Sequence, residues 1–70
     1  MEAPTLARIR SGLRRENPDT KPTVAWVKRP RFVTYPTGAT GYVAQVIVSA
    51  EGYRTRKMFV SSDHDSLRIA

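Results

Sequence analysis

Seventy residues carrying twelve basic and six acidic side chains make a short, basic chain with a net charge of +6. A chain of this length hides only about 60% of the surface its unfolded form exposes, which leaves little room for a deep catalytic pocket. The absence of cysteine excludes a disulfide scaffold and a cysteine-based zinc site, and no apolar run approaches the ~20 residues of a membrane-spanning helix.

Nine of the twelve basic residues are arginine. They are unevenly spread: residues 1–35 hold eight basic and three acidic side chains, residues 36–70 four and three. A basic half of this kind is a footprint for phosphate or for an acidic protein surface. Arginine sharpens that reading, because its planar guanidinium grips phosphates and carboxylates bidentately. The first residues include an acid and lack the apolar stretch of a signal peptide, so a cytoplasmic location is expected.

In chain order, Leu6, Ile9 and Leu13 recur at helical spacing behind Pro4, which suits a first helical position. Arg8 and Arg15 fall on the opposite face, with Arg10 and Arg14 on the flank. Three apolar anchors and Gly12 make this a weak helix alone, one that docks on a sheet or orders on a partner. Asn17 to Pro22, with prolines at both 18 and 22, reads as a linker. The chain therefore divides into a basic N-terminal arm or helix with its linker, 1–22, and a small antiparallel-sheet domain, 23–70.

From Thr23 the apolar period changes to two. Val24–Val27 and Arg31–Tyr35 are expected as two short strands, ended by Pro30 and Pro36. A glycine-bounded loop leads into a strand from Tyr42 to Val48, and Ser49–Gly52 turns it into another from Tyr53 to Val60. In the first of these, Tyr42, Ala44, Val46 and Val48 share one face and Val43, Gln45 and Ile47 the other. Both faces are partly apolar, so alternation does not say which is covered. Arg54, Arg56 and Met58 are expected on one face of the last strand, with Lys57 and Phe59 on the other. The six aromatics are expected to supply most of the core, Phe59 above all. Ser62 with Asp65 resembles a capping box, and Leu67 and Ala70 would then share a face of a closing helix. The expected fold is α+β: a small antiparallel sheet of three or four strands packed with one short helix.

Catalytic readings find little to stand on. His64 is the only histidine, and Asp63-His64-Asp65 on a helix would point its side chains about 100° apart, a poor metal cradle. No pair of carboxylates is spaced for acid–base work, and no phosphate-cradling glycine loop is present. No enzyme, metal site or cofactor is expected.

Residues 41–70 resemble the AP2-type DNA-binding module of plant transcription factors, phage integrase arm-binding domains and some homing endonucleases. Tyr42-Val43-Ala44-Gln45-Val46 matches its aromatic-x-Ala-x-aliphatic strand, Gly52 its turn, and Met58-Phe59 with Ser62-Asp63 its strand end and helix start. The resemblance implies a three-stranded antiparallel sheet, packed on a helix, whose open face lies in the DNA major groove. The double-stranded-RNA module shares that order, but Asp63 and Asp65 stand where it carries a basic cluster.

Two functions remain open at this stage. One is a small DNA-binding protein of the kind phages and mobile elements carry, with double-stranded DNA as partner. Phosphates would be met by Arg8, Arg10, Arg14, Arg15, Lys21, Lys28 and Arg29, and bases or phosphates by Arg31, Gln45, Arg54, Arg56 and Lys57. The other is a phage-type inhibitor or adaptor that docks its sheet on an acidic host protein, through the apolar face of Val43 and Ile47 or by strand addition at the sheet edge. Neither involves a membrane.

Overall fold

The structure, a computed structural model, describes residues 2–63 and 66–70. Thr5 caps the first element: its hydroxyl oxygen accepts the Arg8 backbone N–H at 3.2 Å, and α1 runs Leu6–Glu16. Pro4 thus precedes the cap and is buried, rather than occupying the first helical turn. Arg14 and Arg15 lie in the last turn, where the helix dipole favours cations. The Asn17 N–H bonds to the Leu13 carbonyl at 3.1 Å, and Pro18 prevents continuation.

Four strands follow: β1 Thr23–Thr34, β2 Thr40–Ser49, β3 Arg56–Ser62 and β4 Leu67–Ile69. They form one antiparallel sheet in the order β1-β2-β3-β4. The expected α+β class, with one short helix and a small antiparallel sheet, is the one observed.

Three local expectations are corrected. Val24–Val27 and Arg31–Tyr35 are not separate strands, because β1 runs through Pro30 with register shifts between Trp26 and Lys28 and between Lys28 and Arg31. Pro30 is tolerated because it falls within a bulge of an edge strand, where a missing N–H breaks no regular ladder. Second, Tyr53, Arg54 and Thr55 belong to the connection before β3. Gly52 takes φ 82° and the Tyr53 N–H bonds to the Ala50 carbonyl at 3.0 Å, so the turn consumes residues that read as strand. Third, the expected closing helix is replaced at 67–69 by β4. Leu67 and Ile69, two apart, both pack on the core, with Arg68 between them exposed. That is a strand's period, not a helix's. The turn into β4 is held by Asp63, whose Oδ1 accepts both the Ser66 N–H (3.1 Å) and the Ser66 hydroxyl (2.9 Å). The capping-box partner Asp65, and His64 of the Asp63-His64-Asp65 run, lie outside the described residues.

The core sits between α1 and one face of the sheet. Ile9, Val24, Ala44, Val46 and Val60 are buried, and Leu6, Leu13, Trp26, Val48, Met58, Leu67 and Ile69 pack around them. Segments 1–22 and 23–70 therefore share one core. The aromatics do not dominate it: Phe59 is 67% exposed, Tyr53 65% and Phe32 57%. Phe32 instead packs edge-on against Tyr42, with ring centroids 5.3 Å apart. No helix among the described residues is long and apolar enough to cross a membrane.

Candidate nucleic-acid interface

A strand sends alternate side chains to opposite faces, and the pairing register fixes which face each residue occupies. Val24, Trp26, Val46, Met58, Val60, Leu67 and Ile69 define the side covered by α1. The residues between them form the other side, on which none of the described elements packs.

That open face has three cross-strand rows. Arg31 pairs with Val43, Val43 with Ser61, and Ser61 with Arg68. Lys28 pairs with Gln45, and Gln45 with Phe59. Ala25 pairs with Ile47, and Ile47 with Lys57. Each row thus has a cation at one or both ends and a polar or apolar middle. Neighbouring strands lie about 4.8 Å apart, so three steps separate Arg31 from Arg68 by roughly 14 Å.

Lys28 owes its place to the bulges. In a regular strand it would share the face of Val24 and Trp26 and point at the helix side. The register shift after Trp26 opposes it to Gln45 instead, and the second shift sets Arg31 on that same face. Arg29 lies between the paired positions and is exposed.

The charge distribution reinforces the geometry. The four strands carry Lys28, Arg29, Arg31, Arg56, Lys57 and Arg68 and not one aspartate or glutamate. Among the described residues, every acid lies at the N-terminus, at the end of α1, in the linker or in a connection between strands.

Of the residues singled out from the sequence, Lys28, Arg31, Gln45 and Lys57 come together on the open face. Arg56 does not: it opposes Val48 on the helix side, and Arg54 lies in the preceding connection. Both line a cleft against α1. Arg8, Arg10, Arg14 and Arg15 are exposed on α1, across the sheet from the open face, and Lys21 is exposed in the linker. Two members of the face escaped the sequence reading. Phe59, expected in the core, shares a face with Lys57, which marks a solvent-facing position. Arg68 was hidden by the helical reading of the C-terminal residues. Among the described residues no group of three acidic or histidine side chains is placed to hold a metal.

No family model, characterised protein or solved structure matches the chain.

Proposed function

We propose that this chain is a small duplex-DNA-binding module that lays its open sheet face in the major groove. The observation that carries the reading is a face without acids whose cations stand at its margins and whose centre holds Gln45, Val43, Ile47 and Phe59. The major groove is about 12 Å wide and admits β-structure. Arg31 and Arg68, roughly 14 Å apart across the sheet, suit the two phosphate strands that border it. Between them, Gln45 offers the amide that pairs bidentately with adenine, and the apolar side chains suit thymine methyl groups. The AP2-type resemblance points to the same docking face.

In this reading Lys28, Arg29, Arg31, Lys57 and Arg68 position the sheet through phosphates, and Gln45 and Phe59 face base edges. The four arginines of α1 point away from that duplex. Their role is to raise the long-range positive field that speeds encounter.

The test is a titration of the full chain with short duplexes of A·T-rich and G·C-rich sequence at two salt concentrations. Affinity is expected to fall steeply with salt, as counterions are released. Gln45→Ala is expected to reduce the preference between the two duplexes by about 1–3 kcal/mol, with little change in salt dependence. Binding that ignores salt, or a Gln45→Ala change that weakens both duplexes equally, would contradict the assignment. A complex with an acidic protein that forms without DNA and is lost in Ile47→Asp would support the adaptor reading instead.

A further inference from the structure

A cleft lies on the helix side of the sheet, and its chemistry differs from that of the open face. The C-terminal half of α1, the linker and the connection between β2 and β3 enclose this cleft of ≈ 300 Å³. Leu13, Pro22, Val48 and Met58 contribute apolar surface to it, and Arg54 and Arg56, both exposed, also line it. Leu13, Val48 and Met58 pack against the core yet are only partly buried. Each therefore keeps an apolar flank turned to the cleft. Among the described residues no acidic side chain lines it, so the two exposed guanidiniums meet no carboxylate from those residues there.

From this juxtaposition we infer that the cleft binds an apolar chain ending in a carboxylate. Its volume falls at the lower end of small-molecule sites, about 300–1,000 Å³, which suits one such group rather than a large cofactor. Burying the chain removes the apolar flanks from water. Its carboxylate can accept charge-assisted hydrogen bonds from one or both arginines. The same chemistry is offered by a free medium-chain carboxylate and by the leucine-like C-terminus of a peptide. The cleft opens on the helix side, so the inference does not rest on DNA binding to the open face.

The experiment titrates the full chain with sodium octanoate below its micellar range, followed by amide NMR. Octanol and a leucine-ended peptide, with free or amidated C-terminus, are the comparison probes. Octanoate or the free-ended peptide is expected to shift amides around Leu13, Val48 and Met58 to saturation. Which of the two binds more tightly identifies the natural source. Octanol and the amidated peptide are expected to bind about tenfold more weakly, having lost the charged acceptor. Shortening octanoate to hexanoate is expected to weaken binding about fourfold per methylene removed. Arg54→Gln with Arg56→Gln, both at exposed positions that leave the fold intact, is expected to abolish the preference for the acid over octanol. The same double variant is expected to leave the salt dependence of DNA binding unchanged. Equal binding of octanoate and octanol, shifts confined to the open face, or no binding of either acid at millimolar concentration would overturn the inference.

Discussion

Along β2 the two faces of this sheet are built from similar residues and meet opposite fates. Tyr42, Ala44, Val46 and Val48 alternate with Val43, Gln45 and Ile47, and neither set is plainly polar. What separates them is α1. Ile9, fully buried, lies in one cluster with Val24, Val46 and Val60, whereas Phe59, on the same strand as Val60, is 67% exposed. Coverage is set by the cross-sheet partner, not by the hydrophobicity of the strand. The lesson is that an apolar residue in a small sheet marks a core only when another element is available to lie on it.

The contrast can be broken most sharply at Ile9. Ile9→Ala removes a fully buried side chain and is expected to cost about 2–5 kcal/mol. That is comparable to the whole stability of a domain this small, about 3–5 kcal/mol. Phe59→Ala deletes a larger side chain from the open face and is expected to change stability by about 0.5 kcal/mol or less. Urea unfolding followed by circular dichroism compares the two. Equal losses would mean that the open face is covered after all.

A second contrast sets a glycine of β2 against one of α1. A Cβ at Gly41 would run into the Ser62 carbonyl of β3, so Gly41→Ala is expected to push these strands apart at a cost of about 1–3 kcal/mol. The mirror control is Gly12→Ala in α1, where the added methyl would lie 3.4 Å from Ile69 Cδ1, an ordinary contact. Alanine there is expected to stabilise the helix by up to about 1 kcal/mol. Thermal melts of the two variants should move in opposite directions.

On the covered side the Ser62 hydroxyl is buried and has no hydrogen-bond partner among the described residues. Ser62→Ala is expected to raise stability by about 1 kcal/mol, because it removes a desolvated polar group that gains nothing in return. A loss of the same size would reveal a bond to that hydroxyl.

The sequence carried the α+β class, the glycine turns and the pairing of β2 with β3, because periodicity and turn chemistry are local. It did not carry the single bulged β1, since Pro30 reads as a terminator unless the strand lies at a sheet edge. Nor did it carry β4, where Leu67 with Ala70 imitates a helical step that only the pairing with β3 resolves. The site was legible in part for the same reason. Lys28, Arg31, Gln45 and Lys57 are legible as contact residues, but their common face depends on two register shifts that no local pattern announces. Arg54 and Arg56 were paired by spacing alone. The turn that absorbs Arg54 places both beside the cleft instead.

The central claim, that the open face and not the helix side meets DNA, is tested most directly by comparing two double variants in one duplex titration. Arg31→Gln with Arg68→Gln removes the cations at opposite margins of the open face. Arg54→Gln with Arg56→Gln removes two at exposed positions on the helix side. Each pair lowers the net charge by the same two units, so a purely general electrostatic effect predicts equal behaviour. The expected result is a log–log salt slope reduced by about two for the first pair and unchanged for the second. Equal slopes, or a loss confined to Arg54 and Arg56, would contradict the account.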